Sequence, residues 1–191
     1  MRRSVLLLAA IAALLISSCG LKSSLVKAPA SPSVIAEQLK KAGLDVPARE
    51  LMSEDFSLES PEGTRVSFSS FKGKVVLLSF WATWCGPCKQ EMPAMQTLYQ
   101  KLRGKGFEVV AVDMMEDKAT VAKFVKTSGY TFPVLIDSTG EVGGGPYGAR
   151  ALPTNYIVDK GGKIVGRKIG IDGPAWTSDE RVALFESLLS Q

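Results

Sequence analysis

Residues 79–93 read SFWATWCGPCKQEMP, and this segment holds two of the chain's three cysteines, Cys85 and Cys88, two residues apart. The hydrophobic pattern changes period across it. Upstream, VVLLSFW (75–81) is a near-continuous apolar run, as expected of a strand covered on both faces. Downstream, Met92, Met95, Leu98, Tyr99 and Leu102 recur at helical spacing, with Gly104 and Gly106 behind them. Cys85 therefore falls where a buried strand ends, and Cys88 in the first turn of the following helix. A sulfur there faces backbone N–H groups that lack intrahelical partners and the positive end of the helix. Both lower a thiol pKa of about 8.5 and favour the thiolate, the attacking species. Pro87 suits a first turn, whose N–H is unpaired anyway, and Gly86 removes side-chain bulk beside the sulfur. On this reading Cys85 is the exposed nucleophile and Cys88 the resolving thiol that cuts a mixed disulfide.

Three other readings of the pair are weaker. A zinc or iron–sulfur site needs two more soft ligands, yet the chain has no histidine and only one further cysteine, Cys19, far away in sequence. A copper chaperone would want a histidine and wider cysteine spacing. A structural disulfide would close a loop of only two intervening residues, which removes little unfolded-state entropy. The missing histidine also excludes His-based triads and zinc deaminase chemistry.

The N-terminus, MRRSVLLLAAIAALLISSCG, carries Arg2 and Arg3, an uncharged apolar run, and small residues before Cys19. That is the layout of an export signal, and the run is short for an ordinary membrane span. LISSCG resembles the lipobox of bacterial lipoproteins, which implies a signal peptide over 1–18 and lipid on Cys19. An uncleaved anchor is the alternative, and both put the globular part on the extracytoplasmic side of a membrane. Residues 20–33, GLKSSLVKAPASPS, read as a flexible tether. We assign 19–48 to the lipidated cysteine and tether, with a short helix possible at VIAEQLKKAG, and 49–191 to the main domain. Without residues 1–18 the formal charge of +4 falls to +2, too mild to suggest nucleic acid as a partner.

In the main domain, DFSLES predicts an edge strand and TRVSFSSFKGK the rest of a hairpin. FEVVAVDM and FPVLID predict buried strands around a helix opened by Asp117. TNYIVD and KIVGRKIG flank a KGG turn. The last segment, TSDERVALFESLLSQ, has Thr177 and Glu180 at capping-box spacing, ahead of Val182, Phe185 and Leu189 on one face. Strands alternating with helices predict a three-layer α/β domain.

FWATWCGPCKQEMP resembles the active-site segment of the thioredoxin superfamily, and ALPTNYIVDKGGKIV its cis-proline loop and closing hairpin. More narrowly, residues 52–190 are similar to the TlpA/ResA-like membrane-tethered thiol–disulfide oxidoreductases, including an N-terminal hairpin and the inserted helix–strand segment DKATVAKFVKTSGYTFPVLID. The resemblance implies a thioredoxin-like α/β sandwich with a central mixed sheet. It implies Cys85 as attacking and Cys88 as resolving cysteine, Pro153 as the cis-proline, and Glu91 as the acidic residue that tunes the cysteines. Taken alone, Pro153 equally reads as a trans proline opening a strand, and Glu91 as a solvated helix residue. Glu91 does stand one helical turn beyond Cys88 on the same side, where a buried carboxylate relays a proton. Trp84, Gly86, Pro87 and Leu152 are candidates for substrate docking. Ser79 stands where thioredoxins carry a buried aspartate, which shifts proton handling to Glu91.

No cofactor is expected. The Gly-Pro pair between the cysteines and the lipid anchor both favour a reductase in an oxidising compartment. Its expected partners are a membrane-embedded thiol donor and a disulfide in an exported protein, apocytochrome c foremost, with the chain monomeric. A disulfide-forming oxidase, a thiol peroxidase and a non-enzymatic tethered module are the alternatives.

Overall fold

The computed structural model describes residues 30–173 and 175–191. The signal segment and Cys19 lie outside the described residues. The chain order is α1 (Pro32–Lys41), β1 (Ser57–Glu59), β2 (Arg65–Ser67), β3 (Val75–Trp81), α2 (Gly86–Leu102), β4 (Phe107–Met114), α3 (Lys118–Ser128), β5 (Val134–Asp137), α4 (Glu141–Gly144), β6 (Thr154–Val158), β7 (Ile164–Ile169) and α5 (Asp179–Leu189). The strands form one mixed sheet in the order β2-β1-β5-β4-β3-β6-β7. β3, β4 and β5 run parallel, while β6, β7 and the β1–β2 hairpin are antiparallel.

All seven residues of β3 are buried, as its unbroken apolar run requires of a central strand. Alternation then divides them. Val75, Leu77 and Trp81 join α2 and α5 in one core, whereas Val76, Leu78 and Phe80 enter a second core on the opposite face. Among the described residues no long helix covers that second face. Phe56, Phe68, Phe71 and Tyr147 cover it instead, with ring centroids 5.0–6.1 Å apart along the chain of contacts. Such aromatic pairs add stabilisation beyond their buried area. The result is a thioredoxin-like sandwich with an added hairpin and an added α3–β5 unit.

Three expectations change. β1 is not the edge of the sheet: it lies between β2 and β5, and β2 is the edge. The capping residue of α5 is Ser178, whose Oγ accepts the Arg181 N–H at 3.4 Å, in place of Thr177. The expected tether over 19–48 is ordered from α1 onward. Ile35, Leu39, Ala42 and Leu44 are buried in the α2–α5 core, Gln38 Nε2 donates to Ser187 Oγ at 3.0 Å, and Asp45 exchanges backbone hydrogen bonds with Arg167 on β7. Gly166 on β7 makes room for this packing. A Cβ there would lie 2.7 Å from Leu39 Cδ2.

Candidate active site

The strand-to-helix junction places the cysteines as the local pattern requires. Cys85 is the N-cap of α2 in an extended conformation, and its Sγ accepts the Cys88 backbone N–H at 3.2 Å. A side-chain acceptor at that position satisfies one of the orphan donors of the first turn. The two sulfurs form a disulfide, with the Cα atoms 5.3 Å apart. Burial differs from expectation. Cys85 is only 4% exposed and Cys88 is fully covered, because both pack into the core that holds Trp81, Ala82 and Met92. What is exposed is the rim: Trp84 at 64%, with Gly86 and Pro87 beside it. Met92 and Met95 are core residues.

Glu91 lies on α2 one turn beyond Cys88 and is half-buried. Its carboxylate accepts from Asn155 Nδ2 at 3.1 and 3.2 Å and from Trp176 Nε1 at 3.0 Å. Burial pushes the carboxyl above the usual carboxylate range, while the bonds from Trp176 and Asn155 and the charge of Arg181 pull the other way. Desolvation wins, so the proton is held more tightly than on a surface glutamate. A recess of about 220 Å³ opens beside it, lined by Gln90, Gly170, Ile171, Trp176 and Arg181. The Leu152–Pro153 peptide is cis. Leu152 is half-buried against both cores, Pro153 is buried, and the Pro153 carbonyl accepts the Gly170 N–H at 2.8 Å.

A further buried carboxyl was not anticipated. Asp113, on β4 in register with Trp81, is fully buried, and neither of its oxygens has a hydrogen-bond partner among the described residues. Burial first, then the adjacent Glu116 carboxylate, push its pKa up to about 8. Glu116 in turn accepts from Thr83 N–H at 2.5 Å and Thr83 Oγ1 at 2.6 Å, two residues before Cys85. In the folded state Asp113 holds a proton that an unfolded aspartic acid has already released. Its contribution to stability is therefore full below about pH 4 and is lost as pH rises towards 8. Asp113→Asn, which mimics the protonated form, is expected to leave stability near pH 4 unchanged and to raise it by about 2–4 kcal/mol at pH 7.5. Denaturant titrations at the two pH values check this, and an equal effect at both would show that the carboxyl is ionised throughout.

The sequence did offer a signal for Asp113, an acid following the apolar run VVAV (109–112), since Asp is rarely buried without a partner. Asn155, Trp176 and Arg181, which surround Glu91, gave none. Among the described residues no group of three or more His, Cys, Asp or Glu side chains is arranged to hold a metal, and no helix is long and apolar enough to cross a membrane.

A model of the AhpC/TSA family matches residues 51–167. The chain is 44% identical over 116 residues to the thiol-disulfide oxidoreductase ResA of Bacillus thuringiensis (strain Al Hakam), a match covering 61% of this chain and 66% of that protein. It is 41% identical over 111 residues to ResA of Bacillus subtilis (strain 168), covering 58% and 62% respectively. The matches thus span slightly less than two thirds of these relatives. Among solved structures, a thiol:disulfide interchange protein of the thioredoxin family from Chlorobium tepidum TLS superimposes with a TM-score of 0.62 at 30% identity. That match covers 75% of this chain and 99% of the other.

Proposed function

We propose that this chain, which belongs to the AhpC/TSA family within the thioredoxin-fold superfamily and is closely related to the bacterial ResA-type thiol–disulfide oxidoreductases, is itself a thiol–disulfide oxidoreductase that reduces disulfides in exported proteins. The observation that carries the reading is the Cys85–Cys88 disulfide at the N-terminus of α2, with Cys85 Sγ already accepting a first-turn N–H. When the pair is reduced, that N–H and the helix dipole stabilise the Cys85 thiolate.

The reaction then runs in two exchanges. The Cys85 thiolate attacks one sulfur of the substrate disulfide, forming a Cys85–substrate bond and releasing the other substrate sulfur as a thiolate. Glu91 takes the proton from the Cys88 thiol, and the resulting Cys88 thiolate attacks Cys85 Sγ. The Cys85–Cys88 bond forms and the second substrate thiolate leaves. Two electrons have passed from the enzyme dithiol to the substrate. Because both cysteines are covered, the partner reaches Cys85 over the exposed Trp84, Gly86 and Pro87, with Leu152, which packs on the same core as the cysteines, as a further docking contact.

Family membership implies an extracytoplasmic, membrane-associated protein that exchanges with membrane redox partners and exported substrates. The finer reading is a lipid anchor on Cys19, a membrane-embedded thiol donor that restores the dithiol, and apocytochrome c as the leading substrate. Its support is the lipobox-like LISSCG and the CGPC pair. The direction of electron flow is tested by equilibrating the full chain with glutathione buffers. A potential near −270 mV is expected of a reductase, and one near −120 mV would make the protein an oxidant.

A further inference from the structure

Behind Glu91 stands a charged residue that the exchange reaction does not use. Arg181, on α5, is 3% exposed. Its guanidinium lies over the Trp176 ring, 4.1 Å from the centroid, and its Nε donates to the Ala42 carbonyl at the C-cap of α1, at 3.1 Å. Trp176 is itself 1% exposed and directs its single donor, Nε1–H, onto Glu91 Oε2 at 3.0 Å. A buried cation whose guanidinium makes one hydrogen bond among the described residues is an expensive arrangement unless a negative charge shares the site. Glu91 is the acid that draws on Arg181 from within, and Asp172 does so from the surface.

We propose that Arg181 and Trp176 are positioning residues for Glu91: the guanidinium clamps the indole, and the indole N–H holds the carboxylate in place one turn beyond Cys88. The inference rests on the Glu91 reading above and deepens it. A cation over the face of an indole fixes the ring and strengthens its N–H as a donor. Because the same guanidinium is bonded to Ala42, the helix that follows the N-terminal segment becomes part of the support of the site. Glu91 stands one turn beyond Cys88 on α2 and is faced by Asn155 on β6 and by Trp176 and Arg181 from the α5 end. Arg181 also faces Asp172, which is paired with Lys168 at 2.9 Å.

The test is a carbon-13 NMR titration of the Glu91 carboxyl in the oxidised full chain, purified in detergent and assigned by the signal lost in Glu91→Gln. Trp176→Phe, which keeps an aromatic face under the guanidinium but removes the N–H donor with part of the indole, is expected to raise the midpoint. Arg181→Gln is expected to raise it by about one pH unit, as loss of a nearby opposite charge does, and Arg181→Lys by less. A midpoint that stays put or falls in Trp176→Phe overturns the proposal, and that variant decides alone if Arg181→Gln loses its fold with the Ala42 bond. The titration requires no turnover. A wild-type chain inactive in disulfide exchange would sink the oxidoreductase reading, while the positioning role would still stand or fall on the midpoints.

Discussion

Cys88→Ala is expected to fold, to lose multiple turnover below detection, and to accumulate a covalent adduct on Cys85. The fold survives because the substitution removes one buried sulfur at a helix terminus whose other anchors, Met92, Met95 and Leu98, remain in the core. Turnover stops because the resolving attack has no nucleophile: Cys85 still opens the substrate disulfide, and the mixed disulfide persists. Non-reducing electrophoresis followed by mass spectrometry of the adduct reads out the partner. Cys85→Ser is the matching control, with no adduct and no turnover. Rapid turnover by Cys88→Ala would remove Cys88 from the mechanism and leave a single-cysteine chemistry in its place.

Glu91→Gln is expected to slow resolution of the mixed disulfide by about 10²-fold or more, the range of a lost general base, while first attack by Cys85 changes little. The amide keeps the size of the side chain and retains an acceptor for Trp176 and Asn155, so the effect isolates the proton. The direction of the pKa shift sets the pH behaviour. Burial raises the Glu91 pKa, so in the wild type resolution is expected to fall off on the acid side at a pH above the ordinary carboxylate range. In Glu91→Gln that acid limb disappears. Stopped-flow fluorescence of Trp81 and Trp84, which precede and flank the cysteines, follows the step. A wild-type acid limb retained in the variant would assign the proton to another group, with Asp113 the first to examine.

How legible the site was depended on the distance over which each signal acts. The strand-to-helix change of period around CGPC is local, so the placement of Cys85 at the N-cap and Cys88 in the first turn could be read directly, as could the Asp117 cap of α3, whose Oδ1 accepts the Thr120 N–H at 2.9 Å. Glu91 was legible as a position on a helix face. Its environment was not: its donors, Asn155 and Trp176, lie 64 and 85 residues along the chain, on a strand and a loop that only the sheet order brings under α2. Helix α1 shows the same limit. A short helix at VIAEQLKKAG could be read within the expected tether, but its packing could not: its partner is α5, and the space that admits Leu39 is made by the missing side chain of Gly166.

The sequence alone therefore determined the chemistry, a dithiol at a helix N-terminus in a domain of alternating strands and helices, because hydrophobic period and capping are interactions between residues within a few positions of each other. Only the tertiary structure decided how that chemistry is controlled. It buried Cys85, raised the Glu91 pKa, left Asp113 without a hydrogen-bond partner among the described residues and placed Arg181 behind Trp176. Burial and electrostatic coupling depend on which side chains meet across the sheet, and those meetings are set by the packed fold as a whole.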